Sequence, residues 1–132
     1  MPLAMDWTFE FQGSEVQWTE VSGGQVCLRF SAAAVRQGLG AALEDGHVKG
    51  LELRFTQAVL TGGDQPLCMG ALSNSTLTID GVAHRHIPVP FTASGEVRAE
   101  LHFRSGTILS LSSTGVQCLP PAAPHFQVSY AC

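Results

Sequence analysis

Hydrophobic and polar residues alternate with a period of two across residues 96–113. That period is typical of a β-strand with one buried face and one solvated face. Gly106 fits the left-handed position of a tight turn that ends in a bulge. Such a turn predicts a hairpin in which Leu101 faces Leu109, so that the apolar residues of both strands share one side. The pattern therefore predicts antiparallel β-structure with a one-sided core.

Shorter runs of the same alternation predict further strands. They cover residues 7–11, 16–20, 26–30, 51–55, 87–91 and 126–132. Turn signals separate several of them, at Gly13-Ser14, Gly23-Gly24 and Asp80-Gly81. We therefore expect a mainly β fold, either an antiparallel β-sandwich or a small β-barrel of about eight to ten strands. A chain of 132 residues fits one domain, spanning residues 1–132.

The period changes over residues 31–45, where Val35, Leu39 and Leu43 recur every fourth residue. Ser31 is suited to the N-cap of a helix. The pattern predicts one short helix over about residues 31–45, lying across an open end of the β core.

Composition limits the classes of partner. Charged residues make up 14% of the chain, and the net charge is -4. The seven lysines and arginines are scattered, whereas nucleic acids and anionic membranes are bound by clustered basic residues. We therefore expect neither a nucleic-acid partner nor a membrane partner. A polar surface with few charges instead favours self-association.

The first residues carry neither the basic start nor the long apolar run of a secretory signal. No window approaches the roughly 18 apolar residues of a transmembrane helix. The sequence therefore predicts a soluble, cytoplasmic protein. Cys27, Cys68, Cys118 and Cys132 form no C-x-x-C pair, so we expect free thiols packed as small hydrophobic groups. A bridge between Cys118 and Cys132 is the alternative if the last strand folds back.

Large aromatic residues are the first candidates for a binding site. In a small barrel such residues either fill the core or line a cavity. Core filling is the simpler interpretation. The alternative is a small-molecule carrier, in which the 31–45 helix caps a cavity that holds an apolar ligand. The ligand-binding residues would then be Trp7, Trp18, Phe30, Phe55 and Phe103.

His84 and His86 are the second candidate, as metal ligands. Residues two apart on a strand project to one face, so both imidazoles could bind one ion in a metal-dependent enzyme. A third ligand would have to come from His102, Cys68 or His125. The simpler interpretation is a solvated strand face.

Hydrolase motifs such as G-x-S-x-G and H-E-x-x-H do not occur. Glu100 and His102 share a strand face with Arg98, which is typical of solvated cross-strand ion pairs rather than of an acid–base pair. The leading hypothesis is a non-catalytic binding or interaction module, without a cofactor, that forms a homodimer. Its candidate contacts are the edge strand that carries Pro88 and the terminal strand.

Overall fold

The strands pair into one curled antiparallel sheet. The computed structural model describes residues 7–37, 44–62, 70–121 and 127–128. Within these ranges it contains twelve β-strands and no helix. The strands are β1 (Trp7–Ser22), β2 (Gln25–Gln37), β3 (Glu44–Val48), β4 (Glu52–Thr56), β5 (Val59–Gly62), β6 (Gly70–Ala71), β7 (Thr76–Ile79), β8 (Val82–His84), β9 (His86–Val89), β10 (Phe91–His102), β11 (Ile108–Leu119) and β12 (Gln127–Val128).

The order of neighbours along the sheet is β12-β3-β2-β4-β11-β10-β7-β8, with β1 pairing β2, β6 and β9 and with β5 pairing β11. The sheet curls into a half-barrel. A bridge between Leu72 and Phe103 links the β10–β11 hairpin to the segment that continues β6, and β6 itself pairs with β1. The predicted mainly β, antiparallel class is confirmed.

Inward-facing residues form a single hydrophobic core inside the curl. Phe9 lies at its centre, with ring centroids 5.1 Å from Phe11 and 5.0 Å from Phe30, both edge to face. Such pairs contribute about 0.5–1.5 kcal/mol beyond the area they bury. The strands β1 and β2 thus supply these three phenylalanines, and β4, β10 and β11 add further buried residues such as Phe55, Leu101 and Leu109.

The β10–β11 hairpin has the predicted register, with Leu101 opposite Leu109. The backbone N–H of Phe103 donates to the carbonyl of Thr107 at 2.9 Å and closes the turn. Gly106 has a φ of 101°, which is unfavourable for residues with a Cβ. The turn chemistry of one glycine therefore sets which side chains of both strands face the core.

The helix predicted over residues 31–45 is wrong where the structure describes it. Residues 31–37 belong to β2 and residues 44–45 to β3; Leu39 and Leu43 lie outside the described residues. Ala33 and Val35 are buried while their neighbours are half-buried, which is the two-residue period of a strand. Ala34 is paired on both sides, with Glu10 of β1 and His47 of β3. Hydrogen bonding to two neighbouring strands outweighs the helix propensity of the alanines in this segment, because propensity contributes less than about 1 kcal/mol per residue.

The chain reversal predicted at Gly13-Ser14 is also wrong, because β1 runs through it as a single bulged strand. The pairing with β2 shifts between Glu10 and Glu15, where β1 contains extra residues. Ser14 replaces the missing ladder bonds: its hydroxyl accepts from the Ala34 N–H at 2.8 Å and donates to the Glu10 carbonyl at 2.6 Å. Bulges of this kind bend a strand without ending it.

Two cysteines are described, and both Cys27 and Cys118 are buried free thiols, as predicted. Burial raises the pKa of the Cys118 thiol to about 12. Cys68 and Cys132 lie outside the described residues, and so does the alternative of a disulfide between Cys118 and Cys132. In the part of the chain that is described, no helix is long and apolar enough to cross a membrane.

Candidate functional site

The five predicted ligand-binding aromatics do not come together. Trp7, Phe30, Phe55 and Phe103 are buried in the core, whereas Trp18 is 37% exposed on the outside of the sheet. The continuous β1 strand separates the two tryptophans, one near each of its ends. Of the three cavities described below, only one has a member of this set in its lining, and that residue is Trp18.

The two predicted metal-binding histidines lie on different strands. His84 of β8 pairs with Leu77, and His86 of β9 pairs with Glu10. A bend at Arg85 separates the two strands, so the spacing of two does not place the imidazoles on one strand face. Among the described residues, no group of three or more His, Cys, Asp or Glu side chains is arranged to hold a metal ion.

His86 instead begins a chain of ionisable side chains that crosses four strands. Its Nε2 lies 2.9 Å from Oε2 of Glu10. The same carboxylate oxygen is 3.8 Å from Arg36, and Arg36 donates to Asp45 at 2.8 Å. A cleft of about 280 Å³ opens beside Glu10 and His86. Because the Glu10 carboxylate already has two partners, this chain connects β9, β1, β2 and β3 rather than forming a metal site.

The largest of the described cavities, about 650 Å³, lies over the outer surface of β7, β10 and β11. We call this surface the Arg98 face. Two rows of cross-strand neighbours form it, and they alternate with buried positions such as Val97 and Leu101. The rows are Thr78, Arg98 and Ser112, and Thr76, Glu100 and Ser110.

Charge alternates along β10 in the middle of the Arg98 face. Glu96, Arg98 and Glu100 follow each other at every second position, and the imidazole of His102 comes next in the row. Nε2 of His102 lies 2.6 Å from Oε1 of Glu100. Arg98 is 3.9 Å from Glu96, and the two side chains are 69% and 72% exposed, so that pair is weak. Among the described residues, this distant Glu96 carboxylate is the ion-pair partner of the Arg98 guanidinium.

Two exposed apolar side chains border the same face. Val59 of β5, opposite Ser112, is 62% exposed, and Ile108 at the start of β11 is 42% exposed. Ser112 of β11 lies between Val59 and Arg98 of the charged strand, whereas Ile108 lies directly opposite His102 of that strand. The surface thus combines apolar and hydroxyl side chains with a largely exposed arginine, Arg98, and a largely exposed glutamate, Glu100.

The third cavity, about 420 Å³, lies over the outer surface of β1, β2 and β4, beside Trp18. At its floor, Glu52 accepts from Arg29 at 3.0 Å and from Arg54 at 2.7 Å. Burial by itself raises the pKa of the Glu52 carboxyl, but the two guanidinium groups together outweigh it and hold that pKa below its usual value. The carboxylate is therefore charged at neutral pH.

Cys27 contributes the thiol at this floor, 3.7 Å from Oε1 of Glu52. Burial, and next the charge of Glu52, raise the pKa of the thiol. A protonated thiol is a poor nucleophile. The group therefore serves as a hydrogen-bond donor to the carboxylate rather than as a reactive centre.

Comparison of the chain with models of protein families, with curated proteins and with solved structures finds no match. The sequence identified β10 as a strand with a solvated face, but the neighbours of that face come from β7 and β11. The predicted hairpin register already sets Ser112 beside Arg98, whereas Thr78 lies there because β7 pairs with β10, which the sequence did not predict. The signal that could have found this surface is the uninterrupted alternation of charge from Glu96 through Arg98 to Glu100.

Proposed function

We propose that the protein is a non-catalytic interaction module that self-associates as a homodimer through the Arg98 face. The observation that carries this proposal is the alternation of charge along β10, which makes the face complementary to itself. Homodimers usually form around a two-fold axis, in which each contact occurs twice with the residues exchanged. A surface that pairs with a copy of itself in this way needs a positive and a negative side chain at equal distances on the two sides of the axis.

The Arg98 face has that property. Consider a two-fold axis between two such faces, perpendicular to β10 and passing between Arg98 and Glu100. It sets Arg98 of one copy against Glu100 of the other, and the reverse. Within the described part of its own chain, Arg98 has only a weak partner. The contact of Glu100 with His102 uses one carboxylate oxygen, Oε1, so the other oxygen can accept from Arg98 of the second copy. The two opposed pairs would fix both the register and the orientation of the dimer.

The uncharged residues in and beside the Arg98 face also favour its association with a second copy. Val59 and Ile108 are exposed apolar side chains whose burial would stabilise a complex at about 25 cal/mol per Å². The four hydroxyl groups of the two rows are easily desolvated because they can hydrogen-bond across the contact. The cavity of about 650 Å³ provides room for the arginine and glutamate side chains of a second copy.

Sedimentation velocity at rising protein concentration tests the proposal. We expect the wild type to sediment as a dimer. Arg98→Glu sets glutamates against each other and weakens association at least about tenfold, because juxtaposed like charges are unfavourable. Lys49→Glu is the matched control: it makes the same change of charge at an exposed residue outside the Arg98 face, and it leaves the dimer intact. A wild type that stays monomeric, or an Arg98→Glu variant that dimerises like the wild type, contradicts the proposal.

A further inference from the structure

The cavity beside Trp18 has the composition of a ligand site, and nothing in the self-association proposed above involves it. The residues that line it come from β1, β2 and β4. They are Trp18, Glu20, Ser22, Gln25, Cys27, Glu52 and Arg54. Its volume of about 420 Å³ falls within the roughly 300–1,000 Å³ of small-molecule sites. We call it the Trp18 cavity.

The indole of Trp18 is the apolar wall of this cavity. A tryptophan is one of the largest apolar side chains, and leaving it 37% exposed on an otherwise polar sheet surface keeps apolar area in contact with water. A flat ligand face that stacks on the indole removes that area from water. Trp18 pairs with Arg29 of β2, so the indole stands above a sheet and not on a free loop.

Charge balance argues for a neutral ligand. Glu20, Glu52 and Arg54 line the cavity, and Arg29 holds the second oxygen of Glu52 at 3.0 Å. These two carboxylates and two guanidinium groups cancel. An anion would meet the carboxylates and a cation would meet the guanidinium groups, so neither sign gains a net attraction.

The polar groups around the indole suit a ligand with many hydroxyls. Glu20 and Gln25 each carry a planar group with two adjacent hydrogen-bonding atoms, which can bind neighbouring hydroxyls together. Glu20 lies two residues from Trp18 on the same face of β1, opposite Cys27, and Gln25 lies opposite Ser22 on β2. Acceptors and donors therefore surround one apolar platform on several sides.

We propose that the Trp18 cavity binds a neutral saccharide ring. A pyranose has an apolar face of C–H groups that stacks on an indole, and a rim of hydroxyls that both donate and accept. This ligand class matches the platform, the planar polar groups and the balanced charge at once. Trp18 is then the stacking residue, and Gln25 and Glu20 set which hydroxyls are recognised.

The indole N–H signals of ¹⁵N-labelled protein test this assignment. The probes are the methyl glycosides of glucose, galactose, mannose and N-acetylglucosamine, each titrated separately. We expect at least one of them to shift the Trp18 signal in a saturable way and to leave the Trp7 signal unchanged. Trp7 is the internal control, because it is buried in the core and its Nε1 donates to Gln37 at 2.7 Å.

A variant pair separates recognition from general surface effects. Gln25→Ala weakens binding of the active glycoside at least about tenfold, because it removes a two-atom hydrogen-bonding group. Gln17→Ala, an exposed glutamine of β1 outside the cavity lining, leaves the affinity unchanged. The assignment is overturned if none of the four glycosides shifts the Trp18 signal. It is equally overturned if choline chloride or inorganic phosphate shifts that signal and the glycosides do not.

Discussion

Glu52 is the residue whose environment the structure defines most fully. Its carboxylate accepts from Arg29 through one oxygen and from Arg54 through the other, at 3.0 and 2.7 Å. The pKa of this carboxyl is lower in the folded chain than its usual value. A group of this kind stabilises the fold at pH values above its unfolded pKa, and the contribution is lost as the pH falls through the folded pKa.

Substituting Glu52→Gln should therefore lower the free energy of unfolding by roughly 1–2 kcal/mol at neutral pH. The deficit relative to the wild type should shrink as the pH falls into the range where carboxylates are protonated, since both proteins then lack the charge. Urea unfolding at a series of pH values measures it. Glu20→Gln is the control, because Glu20 is exposed and outside this network. A deficit that does not change with pH would contradict the assignment.

The sequence predicted the burial of single side chains correctly, but it did not predict which side chains lie close together. The cysteines at 27 and 118 are buried thiols, as their apolar character predicts. For the pair His84 and His86, the bend at Arg85 puts the two imidazoles on different strands. No property of the two histidines themselves shows that bend.

At the scale of elements, the β10–β11 hairpin follows from its own residues, whereas β1 and β2 depend on their neighbours. Gly106 and the alternation around it fix the turn and the register. In contrast, part of the β2 sequence has a helical pattern, and it forms a strand because β1 and β3 provide hydrogen-bond partners on its two sides. The bulge at Ser14 is likewise stabilised by Ala34, a residue distant in sequence. Long-range pairing of this kind leaves no local pattern to detect.

Two glycines of the β10 region give a matched test of backbone geometry. Gly106 has a φ of 101°, and a Cβ there would meet nothing within 4 Å. Gly106→Ala should therefore cost only the conformational strain, about 1 kcal/mol. At Gly95 the φ is 138° and a Cβ would lie 2.6 Å from the Asp80 carboxylate, which accepts the Glu96 N–H at 2.9 Å. Gly95→Ala should be clearly more destabilising, and thermal unfolding of both variants measures the difference; equal losses would contradict this geometry.

At the scale of the whole molecule, one curled sheet separates two kinds of surface. The inside is filled by aromatic and aliphatic side chains. The outside presents the Arg98 face and the Trp18 cavity, which are built from different strands. A single half-barrel can therefore offer two independent contacts, one proposed for a second copy of the chain and one proposed for a saccharide. Loss of one contact should leave the other intact.

The central claim is that Arg98 of one copy meets Glu100 of another. Sedimentation velocity of an equimolar mixture of Arg98→Glu and Glu100→Arg tests it most directly. Each variant alone sets like charges against each other and should be monomeric. In the mixture, the glutamate introduced in the first variant faces the arginine introduced in the second, and Glu100 of the first variant faces Arg98 of the second. Both contacts join opposite charges, so a heterodimer should form. A mixture that remains monomeric, or single variants that dimerise like the wild type, would contradict the account.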